Sequence, residues 1–182
     1  MVKELLDGHS PIMSLFHISE EPGIEVFEPR QATASGDQLV WAIDEEHLRN
    51  YLVPRDCPRV TYSAEPRTTV GDRERFLGSS AAVLAIETGW FERMRSCRLH
   101  CYHLPSETFE VADECAGYFV SRVPVKPLRV RVIDDLVSTV LMMRGVEMRV
   151  QPSLWELRDA VIASTLAFSI IRWRNAAPRD SA

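Results

Sequence analysis

Short apolar runs, separated by polar and proline-containing segments, fill the first two thirds of the chain. Such runs occur at residues 14–19, 24–27, 39–43, 59–63 and 81–86. Runs of this length, bounded by turn residues, are typical of strands. The runs at 39–43 and 81–86 are apolar throughout, which predicts strands covered on both faces.

Three later segments also have strand character. Residues 98–104 alternate cleanly, with Leu99, Cys101 and His103 on one face and His100 and Tyr102 on the other. Residues 118–121 and 128–133 are rich in aromatic and β-branched side chains, which favour strands. Residues 31–38 are polar and predict a loop.

Helices are predicted after Asp44 (to residue 52), at 69–77, at 90–96 and at 134–144. Asp44 can cap the first of these, and Gly145 can end the last. Ser153 and Glu156 have the spacing of a capping box, which predicts a helix from 153 to about 174. Its apolar residues surround most of its circumference, so it is either central or shared between two copies of the chain. We therefore expect a homodimer.

Strands come first and helices last, which predicts a single α+β domain over residues 1–182. We expect a mixed, mainly antiparallel sheet or sheets with C-terminal helices, and flexible ends at about 1–10 and 176–182. A hydrophobic share of 46% and a charged share of 26% are ordinary globular values.

Charge and apolar content narrow the function. The net charge of −5 argues against a nucleic-acid partner, because binding to phosphate backbones needs a basic surface. Residues 1–8 lack the apolar core of an export signal, and the apolar run at 160–171 is too short to cross a bilayer. We expect a cytoplasmic protein with reduced thiols and no membrane partner.

His17 is the most informative polar side chain, because it lies inside an apolar strand between Phe16 and Ile18. One interpretation is a structural histidine satisfied by a backbone carbonyl. The other is a histidine at a strand end that exchanges a hydrogen bond with a ligand hydroxyl at neutral pH.

Residues 13–52 resemble the opening of ADP-ribosyltransferase-type domains. The resemblance rests on a strand with a histidine followed by a small polar residue, an Ile-x-x-Phe-x-Pro segment beginning at Ile24, and the run Leu-Val-Trp-Ala-Ile leading into a short helix. It implies an ADP-ribosyltransferase-like fold with NAD, or another small nucleotide, as ligand. It places His17 at the ribose and Trp41 near the nicotinamide.

The resemblance also requires a catalytic glutamate before a segment such as Tyr118-Phe119-Val120, but Gly117 stands at that position. Glu114, three residues earlier, is the candidate replacement. Without a carboxylate to stabilise the oxocarbenium-like charge, ADP-ribose transfer would be slow. Two hypotheses therefore stay open: a transferase, and a catalytically inactive binding module that dimerises through its last helix.

Arg55 and Arg59 flank a turn stiffened by Pro54 and Pro58. They form either a solvated turn paired with acids such as Asp56, or an anion clamp for a pyrophosphate. The resemblance supports the second interpretation, because the tRNA 2′-phosphotransferases, a related branch of the same fold, bind NAD and a phosphate with histidines and arginines. It assigns Arg55 and Arg59 to the cofactor together with His17.

Cys97, His100, Cys101 and His103 invite a zinc interpretation, but strand alternation sends His100 to the opposite face. We expect no metal. The whole chain also resembles an uncharacterised bacterial family through its His-x-Ser-Glu, Trp-Ala-Ile-Asp and Pro-Arg-Asp-Cys-Pro-Arg segments. That resemblance implies no activity.

Overall fold

The computed structural model describes residues 14–31 and 36–179. Its strands, numbered in chain order, are β1 (Leu15–Ser19), β2 (Arg30–Gln31), β3 (Gln38–Asp44), β4 (Arg59–Ser63), β5 (Ala82–Glu87), β6 (Leu99–Leu104), β7 (Glu110–Asp113), β8 (Tyr118–Ser121), β9 (Arg129–Ile133), β10 (Val146–Gln151) and β11 (Ala167–Ile171).

The strands form two sheets. The first has the order β7-β8-β3-β1-β6-β9, with β2 added beside β3, and all its pairings are antiparallel. The second has the order β10-β5-β4-β11, in which only the β10–β5 pairing is parallel. The predicted α+β class with mainly antiparallel sheets is confirmed, whereas the ADP-ribosyltransferase type is not.

Helices are few and short. They are α1 (Val70–Asp72), which continues into a π-helical turn (Arg73–Leu77), α2 (Phe91–Ser96), α3 (Leu136–Leu141) and α4 (Trp155–Ile162), with 3-10 turns at Leu48–Tyr51, Thr88–Trp90 and Trp173–Asn175. Asp44 does cap the segment after β3, because its Oδ1 accepts a bond of 2.8 Å from the backbone N–H of His47.

The sheets are joined by a core that takes residues from both. Ile43 and Leu99 of the first sheet and Leu84 and Ile86 of the second belong to one buried cluster. All six residues of β5 are buried, as its unbroken apolar sequence predicts. A second cluster lies beneath α4, and a third covers the other face of the first sheet around Tyr102 and its neighbours.

The predicted long final helix is wrong. Helix α4 ends at Ile162, and the chain then turns back as β11, which pairs with β4 along its whole length. At its start Ser153 Oγ accepts a long bond of 3.4 Å from the backbone N–H of Trp155, but no bond from Glu156 back to Ser153 is found among the described residues, so the predicted capping box is incomplete. The ring centroids of Trp155 and Trp173 lie 4.7 Å apart, so the two rings pack edge to face within the chain instead of lining one long helix. The structural reason for expecting a homodimer is therefore absent, although the oligomeric state stays a prediction.

Other boundaries also differ. The helix expected at 134–144 is the shorter α3, capped by Asp135, and it is followed by the unpredicted strand β10. Strand β7 was not predicted either, and residues 24–27 contribute only an isolated bridge at Phe27. Strand β3 is not covered on both faces, since Trp41 is 41% exposed.

Three expectations lie wholly or partly outside the described residues: the flexible ends at 1–10 and 176–182, and the loop at 31–38. Within the part of the chain that the structure describes, no helix has the length and apolar content needed to span a bilayer.

Candidate functional site

The first sheet opens between β1 and β3. The two strands pair only at Leu15–Asp44 and Phe16–Ile43, after which β1 continues along β6 while β2 pairs with the start of β3. The carbonyl of Trp41 lies at this opening and accepts a hydrogen bond from His17 Nδ1 at 2.9 Å. A side chain thus replaces the missing strand contact.

A cleft of about 720 Å³ begins at this opening. The ends of β1 and β3 and residues 21–31 form one wall, and the turn before β4 together with the end of β11 forms the other. A smaller, mainly apolar pocket of about 290 Å³ adjoins it. The two cavities share five lining residues, which are His17, Ile18, Trp41, Tyr51 and Tyr118.

The hydrogen bond to Trp41 fixes the tautomer of the neutral His17 ring. A carbonyl can only accept, so Nδ1 carries the proton and Nε2 presents a lone pair. Burial lowers the pKa of His17, and the charges of Arg30 and Arg55 lower it further, although the Trp41 carbonyl acts the other way. Nε2 has no partner among the described residues. In its neutral form, which burial favours, His17 can therefore accept a hydrogen bond at Nε2 from a ligand hydroxyl or N–H group.

Trp41 reaches the cleft from the other face of the sheet. It lies two residues from Ile43, which pairs with Tyr118, whereas His17 pairs with Tyr102 of the opposite face. The Trp41 and Tyr118 rings meet edge to face at 5.9 Å. Both His17 and Trp41 line the cleft because the sheet is open between their strands, but the two rings do not lie side by side.

Two tyrosines close the apolar pocket. The Tyr51 hydroxyl donates to the Tyr118 oxygen at 2.8 Å, and burial raises the pKa of Tyr51. Because Tyr118 accepts this bond, its own hydroxyl hydrogen is available to a ligand. From the sequence Tyr118 stood out only as part of a strand motif, and Tyr51 did not stand out, since an aromatic residue at a helix end has no distinctive pattern.

Arg59 is buried at the base of the second wall of the cleft, which is formed by the turn before β4 and the end of β11 and is called the cationic wall below. It is 2% exposed, and its guanidinium donates to the carbonyls of Asn50 at 2.8 Å and Cys57 at 2.9 Å. Burial lowers the pKa of Arg59 to about 10, so the side chain still carries its charge at neutral pH. No carboxylate of the described residues forms an ion pair with it. The charge is therefore available to an anion in the cleft.

Arg55 differs from its neighbour in the same turn. It is exposed, its backbone N–H donates to Glu20 at 2.8 Å, and its guanidinium has no ion-pair partner among the described residues. The ion pairs with acids such as Asp56, which belonged to the solvated-turn interpretation, are not formed by Arg55 or Arg59 among the described residues. Asp56 instead lies 3.9 Å from Arg172, which also donates to the Arg55 carbonyl at 3.2 Å.

Arg172 and Arg174 extend this wall. Arg172 has a φ of 56°, and no other non-glycine residue of the described ranges has a positive φ. Such backbone conformations are costly and cluster at functional sites. With Arg30, the cleft is lined by five arginines and by two carboxylates, those of Glu21 and Glu28. An acidic chain thus carries a locally basic cleft. Arg172 and Arg174 could not be identified from the sequence, because the apolar pattern placed them at the end of a helix.

Glu114 is exposed in the turn between β7 and β8 and lines neither cavity. The glycine at 117 has a clear structural reason. Its φ is 67°, and a Cβ there would lie 2.3 Å from His47 Nδ1 and 2.6 Å from Asp44 Oδ2. His47 and Asp44 already bond to each other at 2.8 Å. No glutamate side chain fits at this position.

The residues of the rejected zinc site lie apart from the cleft. Cys97 and Cys101 are buried free thiols, and Cys101 and His100 point to opposite faces of β6. Across the described ranges, no three histidine, cysteine or carboxylate side chains converge on a common metal position.

Comparison with known proteins gives one match. The model of a protein family fits residues 16–176, and its description reads family of unknown function, DUF6886. No curated protein and no solved structure shows significant similarity to the chain. The expected kinship with an uncharacterised family is confirmed, and the comparisons give no support for an ADP-ribosyltransferase-like fold.

Proposed function

The chain belongs to the family of unknown function DUF6886, and we propose that it is a nucleotide-binding protein whose ligand is NAD or a close relative. The observation that carries the proposal is the junction of an apolar aromatic pocket with an arginine-lined cleft, with the neutral His17 between them. Few ligands other than nucleotides join a flat ring, hydroxyl groups and phosphates in this order.

Each part of the ligand has a matching contact. The planar ring fits the apolar pocket beside Trp41 and Tyr118, where aromatic faces favour stacking. A ribose hydroxyl donates to Nε2 of His17. The pyrophosphate lies toward Arg55 and Arg172, with the buried charge of Arg59 behind them. Guanidinium groups suit phosphate because they donate paired, coplanar hydrogen bonds.

Binding without ADP-ribose transfer fits these residues best. A transferase of the kind that the sequence resembles needs a carboxylate at the reacting ribose. Gly117 occupies that position against His47 and Asp44, and Glu114 is turned toward solvent. Of the two hypotheses from the sequence, we therefore favour the binding module. The long final helix through which it was expected to dimerise is not formed.

Intrinsic fluorescence tests the proposal, because Trp41 is partly exposed in the ligand pocket. We expect NAD to quench emission saturably in the wild type, and the quenching to fall by more than half in Trp41→Phe. Trp90→Phe is the matched control, since Trp90 lines neither the cleft nor the apolar pocket. Quenching that is equal in both variants, or no saturable quenching by NAD, ADP-ribose or ATP, would contradict the proposal.

A further inference from the structure

The cleft carries more positive charge than a pyrophosphate alone neutralises. Five arginines line it, against the two carboxylates of Glu21 and Glu28. Arg172 lies near Asp56, but the other four arginines form no ion pair with a described residue. Each phosphate of a pyrophosphate diester carries about one negative charge, whereas a phosphomonoester carries about two at neutral pH. A ligand with a phosphomonoester besides its pyrophosphate therefore matches the cleft better than NAD does.

Arg30 differs from the other arginines of the cleft in its position. It belongs to β2, on the wall opposite the cationic wall. Its side chain is exposed to the cleft and forms no ion pair with a described residue. The proposed pyrophosphate is assigned to Arg55 and Arg172, so it leaves Arg30 without a contact. Arg30 is thus a free cation across the cleft from the proposed pyrophosphate.

The charge of Arg30 acts where the ribose of the ligand is proposed to lie. The charges of Arg30 and Arg55 both lower the pKa of His17, and neither Glu21 nor Glu28 acts on it. His17 Nε2 is the proposed acceptor for a ribose hydroxyl. A phosphate on the neighbouring oxygen of the same ribose would therefore lie among positive charges.

The apolar pocket favours one end of a dinucleotide over the other. No carboxylate lines this pocket. The guanidinium carbon of Arg59 lies 5.3 Å from the centroid of the Tyr51 ring, so a positive charge already lies at one side of the pocket. The nicotinamide ring of NAD is cationic, whereas adenine is neutral. Adenine therefore suits the pocket better, and the ribose attached to adenine is the one that carries an additional phosphate in common cofactors.

We propose that the cleft selects adenine nucleotides whose ribose carries a phosphomonoester, and that Arg30 recognises this group. The inference rests on the proposed nucleotide site, because the apolar pocket and His17 orient the ribose. Arg30 donates paired N–H bonds to the monoester oxygens, while Arg55 and Arg172 contact the pyrophosphate. The same chemistry occurs in the 2′-phosphate of NADP and in the 3′-phosphate of coenzyme A.

Calorimetric titration with two matched pairs of ligands, at one fixed ionic strength, tests the selection. The pairs are NADP with NAD, and coenzyme A with dephospho-coenzyme A, and the members of each pair differ only in the monoester. We expect the phosphorylated member of one pair to bind at least about tenfold more tightly, because a charge-assisted contact is added. A preference within the first pair identifies the 2′-phosphate, and one within the second identifies the 3′-phosphate.

The outcomes separate this inference from the nucleotide proposal. Equal affinity within both pairs would overturn the selection and leave a nucleotide site in place. The absence of binding by all four ligands would overturn both.

Arg30→Gln distinguishes recognition by one residue from general attraction to a basic cleft. It should weaken binding of the preferred phosphorylated ligand about tenfold more than binding of its unphosphorylated partner, which removes the preference. Arg122→Gln is the matched control, because it removes the same charge outside the cleft, where Arg122 pairs with Asp37, and it should keep the preference. A preference that survives in Arg30→Gln, or one that Arg122→Gln removes as well, would overturn the inference.

Discussion

The two walls of the proposed nucleotide cleft differ in chemistry and in origin. One wall comes from β1 and β3, which contribute His17, whose pKa burial lowers, and, from the opposite face of the sheet, the aromatic Trp41. The other comes from the turn before β4 and the end of β11 and presents Arg55, Arg59 and Arg172. Recognition of the ring and recognition of the phosphates of the proposed ligand should therefore be separable, because substitutions on one wall need not alter the other.

The largest expected effect is a loss of stability when Arg59, buried in the cationic wall, is replaced. Arg59→Ala removes a buried guanidinium and leaves the carbonyls of Asn50 and Cys57 without their donor. We expect the free energy of unfolding to fall by about 3 kcal/mol. Arg55→Ala changes an exposed side chain and should alter it by at most about 0.5 kcal/mol. Urea denaturation measures both, and equal losses would show that the two arginines share one role.

The next effect concerns affinity. Arg55→Gln should weaken NAD binding about tenfold, or about 1.4 kcal/mol, because one phosphate contact is lost. Arg55→Lys keeps the charge but loses the paired donors, so its affinity should lie between. Arg122→Gln is the control, since Arg122 pairs with Asp37 outside the cleft. Titration calorimetry at fixed ionic strength decides the order, and a loss as large in Arg122→Gln would remove Arg55 from the site.

A smaller effect is expected in how NAD binding and stability depend on pH, through His17 on the wall formed by β1 and β3. Burial lowers the pKa of His17 from its ordinary value of 6.5, so Nε2 stays unprotonated to a lower pH than in a free imidazole, and NAD binding should weaken only below pH 6.5. Folding has the matching sign. The unfolded chain takes up a proton near pH 6.5 while the folded chain does not, so this contribution to stability is complete above 6.5 and is lost as pH falls toward the lowered pKa.

His17→Gln should remove that part of the pH dependence of stability, which urea denaturation at pH 7.5 and pH 5.5 measures. An unchanged difference between the two pH values would mean that His17 titrates normally in the folded protein. NMR titration of the imidazole would then give a pKa near 6.5.

The smallest perturbation is a probe of burial. Burial raises the pKa of Cys57 to about 12 and that of Cys97 to about 11, and it also raises that of Cys101. Cys115 is exposed. Iodoacetamide at pH 8 should therefore alkylate Cys115 and spare the other three cysteines, as read by peptide mass mapping. Modification of Cys57 in the folded protein would contradict the described core.

The elements that the sequence predicted differ from those that it missed in how local their determinants are. Strands β3, β4, β5 and β6 were predicted within one or two residues, because each is a short run of strand-forming residues; of these four, only β5 has the burial that its sequence predicts. Strand β10 was missed because its residues are only partly buried and its parallel pairing with β5 is a distant contact.

Strand β11 was missed for a different reason. The apolar run at 160–171 has no proline or glycine to mark the end of α4, so helical periodicity continues past it. The break lies at Ser164, whose hydroxyl donates to the Val161 carbonyl at 2.7 Å, and pairing with β4 then outweighs local helix preference. For the site, the sequence identified His17, Trp41, Arg55 and Arg59, all of which line one cleft. It could not identify Arg172, which reaches the cleft only because β11 is a strand.

Calorimetric titration of the full-length protein with NAD decides whether both walls together hold one nucleotide. We expect one NAD per chain, an affinity that falls as salt rises because the phosphates meet arginines, and separate losses in Trp41→Ala and Arg55→Gln. The absence of binding heat at high micromolar protein, or binding that neither variant weakens, would contradict it.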